Sequence, residues 1–262
     1  MNEEISKILN AIDTINTALV FDVDIPSLNK TIRFRQLTTG QQKKFAKQLL
    51  TADGLSIVPA VLDIAKQNCL DQTINFDNLT LVDLLLISIK IRIYSVGDFI
   101  TLRVPIDKDE NSEKQTFFDV KIDLKKLYND ILSKADTTID DSIIMDQYPY
   151  EIYIGMPSVK AMCDLKDVEN FDDQDIYETT QYIKSIKIRN NTGEKITIDF
   201  NDLGINDKIS ILEKIPNPII QKTYETLVDK IKKINGISLY RIKHKNKDYS
   251  QSISILSANF FT

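Results

Sequence analysis

The sequence predicts an α+β protein built from antiparallel hairpins packed with a largely buried central helix (about 79–95) and a long C-terminal helix (about 217–235). Segments of alternating apolar and polar residues come in consecutive pairs joined by turn-like stretches, the pattern of hairpins. Stretches with apolar residues at helical spacing lie between them without strict alternation, which disfavours a doubly wound parallel sheet. The composition, 42% hydrophobic and 27% charged over 262 residues, is ordinary for a globular chain with one large or two modest domains. The weak break near 134 to 150 divides it into residues 1–135 and a second α+β region, 136–262, ending in a helix and a hairpin.

Ile5, Ile8, Leu9, Ile12, Ile15 and Leu19 recur at helical spacing, so residues 3 to about 17 read as an amphipathic helix. The period then changes to two in 19–25 and 31–37, with Pro26-Ser27-Leu28-Asn29-Lys30 as the turn between two strands. Thr38 and Thr39, followed three residues later by Gln41 and Gln42, give a capping-box signal for a helix with Phe45, Leu49 and Leu50 on its apolar stripe, ending near Asp53-Gly54. Another helix is expected at about 57–69.

The strongest local pattern runs from Asp77 to Asp98. Thr80 is an N-cap and Asp83, three residues on, can reach back to the free N–H groups of the first turn. Lys90 and Arg92 lie toward the end where the helix dipole favours cations, and Gly97 can adopt a positive φ just past it. Apolar residues fill so many positions between them that burial on most sides is expected.

Strands follow at 99–105 and 116–122, around a charged loop from Lys108 to Lys114, then a short helix at about 123–133. Strands at 139–145 and 150–154 form the next pair. Pro157-Ser158 opens a helical stretch, and the acidic run from Asp164 to Glu178 leads into a helix with Tyr177 and Tyr182. Residues 182–189 and 195–200 flank Asn190-Asn191-Thr192-Gly193 as another hairpin. Helices at about 205–214 and 217–235 come next, the latter opened by Pro218 and closed by Gly236. A final hairpin is expected from 238–242 and 252–256 around Lys243 to Asp248.

The same residues exclude several chemistries. One His, His244, and two separated thiols, Cys69 and Cys163, leave no His-rich zinc site and no CxxC pair, and suit a reducing compartment. The acidic start Met1-Asn2-Glu3-Glu4-Ile5 has no basic or apolar leader, and the run Leu84 to Ile89 meets Lys90 and Arg92 well short of a membrane span, so a soluble, non-secreted protein without a membrane partner is expected. Net charge of −5 argues against bulk attraction to nucleic acid. Gly40-Gln41-Gln42-Lys43-Lys44 is not a phosphate loop. The run Asp164, Asp167, Glu169, Asp172, Asp173, Asp175, Glu178 lacks the Gly and Glu spacing of an EF-hand and reads as a solvated loop.

Two constellations merit a functional reading. Asp107 with Asp123-Leu124-Lys125 resembles a strand-borne carboxylate pair and lysine, the arrangement of a magnesium-dependent nuclease. Ile220, Tyr224, Leu227, Ile231 and Ile234 repeat at 4-3-4-3 spacing, a seam for packing on the chain's own fold or, in a bacterial adaptor, for docking a partner helix. The basic groups Lys184, Lys187, Arg189 and Arg241, Lys243, His244, Lys245, Lys247 suit solvated, edge-protecting positions.

The ordered set Phe21-Asp22-Val23-Asp24-Ile25-Pro26, Ile32 to Thr38, Leu79-Thr80-Leu81-Val82-Asp83 and Arg92-Ile93-Tyr94-Ser95-Val96-Gly97 resembles the baseplate hub subunit and hub-assembly proteins of T-even-like contractile-tailed bacteriophages. The likeness covers 20–105 closely, and 200–262 loosely through Ile215-Pro216 and Asn259-Phe260-Phe261. Family members with cysteine pairs after the central helix and near the C-terminus differ from this chain, so no metal-stabilised ribbon and no cofactor is expected.

The resemblance implies a non-enzymatic structural or assembly protein. Its partners would be other phage baseplate or hub proteins, with self-association a further option and no small-molecule substrate. It would act in the virion tail baseplate and in the host cytoplasm during assembly. Thr80, Asp83, Arg92, Ser95 and Gly97 would then fix the central helix and its exit.

Overall fold

In a computed structural model of the chain, the structure describes residues 3–51, 57–105, 117–135, 141–145, 147–164, 179–189, 194–244 and 247–252. Helix α1 (Glu3–Ala18) precedes strands β1 (Val20–Ile25) and β2 (Lys30–Arg35), which pair antiparallel with Phe21 opposite Phe34 and Val23 opposite Ile32. Alternation puts Phe21, Val23, Ile25, Ile32 and Phe34 on the buried face. Pro26 starts a 3₁₀ turn and Asn29, at φ +49°, ends it with its N–H on the Pro26 carbonyl. Asn tolerates that left-handed conformation better than most residues.

Helices α2 (Thr39–Thr51) and α3 (Ile57–Asn68) follow. The capping box of α2 uses Thr38 and Gln41: the Thr38 N–H donates to Gln41 Oε1 and the Gln41 N–H to Thr38 Oγ1. The expected end at Asp53-Gly54 lies outside the described residues. Helix α4 (Leu81–Ser95) is the hub of the packing, touching β1, α3 and α5 (Leu124–Lys134). Leu84, Leu86, Ile87, Ile89 and Ile91 have no exposed surface, each such side chain stabilising by about 1.5–3 kcal/mol relative to exposure. Buried Ser88 is satisfied by the Leu84 carbonyl one turn back.

Strands β3 (Phe99–Pro105) and β4 (Phe117–Asp123) form a second two-stranded sheet whose inner face carries Ile100, Val104 and Ile122. Strands β5 (Asp141–Ile144), β6 (Tyr150–Ile154), β7 (Ile183–Arg189) and β8 (Lys195–Asp199) make one antiparallel sheet in chain order. The two hairpins expected there are thus joined through β6 and β7, with Ile152 opposite Ile186. Between them, α6 (Val159–Asp164) is tied to the start of α4 by the Val159 N–H on the Leu79 carbonyl. The acidic run beyond Asp164, up to Glu178, lies outside the described residues.

Helices α7 (Ile205–Leu212) and α8 (Asn217–Ser238) lead to strands β9 (Leu239–His244) and β10 (Lys247–Ser252). Two expectations need correction here. The long helix does not stop at Gly236 but runs on to Ser238, since a lone glycine costs a helix only about 1 kcal/mol. The last hairpin is tighter than expected: His244 pairs with Lys247 and Lys243 with Asp248, so most of the supposed basic loop is strand. Lysines have no strong turn preference, so a run of them does not by itself mark a loop. Buried apolar residues of both regions, 1–135 and 136–262, belong to one cluster, Phe34, Ile89, Ile152 and Leu227 among them.

Candidate functional site

Helix α4 and the β1–β2 hairpin are held together at both ends by single polar contacts, and the residues concerned are those the sequence motif singles out. At the helix start, the Thr80 N–H and hydroxyl both donate to Asp83 Oδ2 at 2.7 Å, while the Asp83 N–H donates to Thr80 Oγ1 at 3.3 Å. That closes a full capping box. The other carboxylate oxygen, Oδ1, accepts the N–H of Ser27 at 3.2 Å, from the hairpin tip. Asp83 is wholly buried and has three donors around it, which is what makes burial of a carboxylate tolerable.

At the helix end, Ser95 Oγ accepts the N–H of Leu37 at 3.0 Å, where the chain leaves β2. From Asp83 to Ser95 the helix rises about 18 Å, so the two ties hold opposite ends of α4. Arg92 then fastens the exit. Its guanidinium donates to the carbonyls of Gly97 at 2.8 Å and Phe99 at 3.4 Å, and its own carbonyl accepts the N–H groups of Val96 and Gly97. Burial pulls the Arg92 pKa below its ordinary value, although a guanidinium keeps its proton. Gly97 sits at φ +145°, a conformation that a residue with a side chain rarely takes.

The hairpin is also tied to Tyr128 of α5. Its hydroxyl accepts the Asp24 N–H at 2.9 Å and donates to Asp24 Oδ2 at 3.1 Å, and the Lys90 ammonium lies 4.3 Å from its ring centroid. Burial pushes the Tyr128 hydroxyl pKa upward. Tyr94 stacks on Phe21 with ring centroids 4.6 Å apart. Neither contact was visible as a motif, because each joins residues far apart in sequence.

The nuclease-like constellation is put to other use. Asp123 caps α5, accepting the N–H groups of Lys125 and Lys126 at 2.9 and 3.2 Å. Lys125 Nζ instead reaches Asp98 at 2.6 Å, and that bond raises its pKa. Asp107 lies outside the described residues. No group of three or more His, Cys, Asp or Glu side chains able to hold a metal occurs among the described residues.

In the 4-3-4-3 seam, Ile220 and Leu227 are buried in the core, on a helix that packs against α5 and β5, and Tyr224 is half-buried. The side chains of Ile231 and Ile234 lie outside the described residues. An open cavity of about 570 Å³ beside β6 and β7 is lined by Tyr148, Tyr150, Lys187, Arg189 and Lys195 among others. Lys187 is engaged there, donating to the Tyr153 hydroxyl, which also bonds Glu151. Cys69 is buried, with its thiol on the Asp71 carbonyl and its pKa pushed up by burial, the opposite of a reactive thiolate. Among the described residues no helix is long and apolar enough to cross a membrane.

A protein-family model described as T4 bacteriophage base plate protein matches residues 18–254. No curated protein and no solved structure matches the chain.

Proposed function

The chain belongs to the T4 bacteriophage base plate protein family, and on that premise we propose that it is a non-enzymatic structural or assembly protein of the base plate hub of a contractile phage tail, acting through protein–protein contacts. Its partners are other base plate or hub proteins, met in the host cytoplasm during assembly and in the virion tail. The observation that carries this reading is the use made of the polar residues best able to do chemistry. Asp83, Arg92, Ser95, Asp123 and Lys125 each hold a helix end, a loop or a hairpin.

Infection with a phage lacking this gene tests the proposal. Electron microscopy of the lysate is expected to show filled heads without complete base plates, restored when the protein is supplied in trans. Normal, infectious tails in its absence would contradict it.

A further inference from the structure

Helix α1 leaves its apolar stripe open. Ile5, Ile8, Leu9, Ile12 and Ile15, with Leu19 just past the helix end, are each 43–61% exposed. Helix α1 packs on the rest of the chain chiefly through β2. A 16-residue helix is marginal by itself in water, and a contiguous apolar patch of this size on a soluble surface marks an interaction site.

The spacing identifies what fits. Ile5, Ile8, Ile12, Ile15 and Leu19 advance by three, four, three and four residues, so they occupy the a and d positions of two heptads. By sequence position the seam is flanked by Ala11 and Ala18 on one side and Leu9 and Asn16 on the other; among these inner flanks only Glu4 adds a charge. Such a seam is complementary to itself: small flanking residues admit a close neighbour and no row of like charges opposes it. With about 200 Å² for a fully exposed Ile or Leu, the six residues expose roughly 600 Å² per copy, and covering them on two copies removes about 1,200 Å², the lower edge of stable interfaces.

We propose that the chain self-associates by packing α1 against α1 of further copies, the isoleucines at both a and d favouring a bundle of more than two helices. This interface is independent of the hub assignment and of the contacts made by α4.

Sedimentation velocity on the full chain tests it. The wild type is expected to show a mass at least twice 30.0 kDa that falls on dilution, and the double substitution Ile8→Glu/Ile15→Glu to return it to a single chain that still unfolds cooperatively in urea. If that variant loses its cooperative melt, Ile12→Cys decides. Ile12 is the middle of the seam, so copies bring it side by side in either orientation, and oxidation is expected to give a cross-linked species beyond any formed by the wild type. A wild type that remains a single chain at about 100 µM, far above a micromolar dissociation constant, overturns the proposal, whether residues 253–262 or another base plate protein covers α1 instead. So does a folded double variant that associates as the wild type does, or an absent cross-link.

Discussion

The carboxylate of Asp83 accepts the backbone N–H of Ser27 across 56 positions of sequence, at 3.2 Å, while its second oxygen closes the capping box of α4. One buried side chain therefore sets both where the central helix begins and where the first hairpin turns. The Asp83→Ala variant keeps the Thr80 cap, since residue 83 retains its N–H, but leaves the N–H groups of Thr80 and Ser27 without their acceptor, for a total of about 2–3 kcal/mol. Urea and thermal melts check this, and a midpoint equal to the wild type would contradict the role given to Asp83.

Ser95 makes the corresponding tie at the other end, to Leu37. Ser95→Ala is expected to lose about 1 kcal/mol, the net contribution of one hydrogen bond of this kind. The measurement is again the urea midpoint, with the slope of the transition unchanged.

Gly97 holds φ +145° while an added Cβ would come no nearer than 4.0 Å to Arg92 Nη1. The obstacle to a larger residue is thus backbone conformation and not space. Gly97→Val is expected to destabilise by about 1–3 kcal/mol, and Gly97→Ala to fail nearly as badly, because both carry a Cβ into the same strained region. A steric cause would instead make Ala harmless, and comparing the two melts separates these outcomes.

Tyr128 supplies a pH dependence. Its hydroxyl pKa is raised in the folded protein by burial, so the neutral form is the one the fold favours. The unfolded tyrosine ionises near pH 10, so the stability it contributes is complete below about pH 10 and declines as pH rises through the interval between the unfolded and folded values. Urea midpoints measured from pH 8 to 11 should fall more steeply for the wild type than for Tyr128→Phe. Parallel curves would show that Tyr128 ionises alike in both states.

Asp123 is expected to behave as a helix cap. Asp123→Ala should cost about 1 kcal/mol of stability, and the wild type should leave plasmid DNA intact with or without magnesium. Metal-dependent cleavage that the substitution removes would restore the nuclease reading.

The parts of this architecture that were readable in the sequence are those with local causes. The Thr80–Asp83 capping box, the alternation of Phe21, Val23 and Ile25, and the glycine past the end of α4 are each specified within a few residues. What was not readable depends on chain segments meeting. Nothing local pairs β6 with β7, brings Ser27 to Asp83, or sets Tyr128 on Asp24. The two heptad-like seams show the same limit. Both have the spacing for helix pairing, yet Ile220 and Leu227 of α8 are buried in the fold while Ile8 and Ile15 of α1 face outward. Periodicity identifies an apolar face without saying what covers it.

Contact with other base plate components is tested most directly by tagging the protein during infection and quantifying co-purified phage proteins by mass spectrometry against an untagged control. Strong, specific enrichment of base plate or hub proteins, retained after nuclease treatment, is expected. A preparation free of tail proteins, at expression levels that support infection, would contradict it.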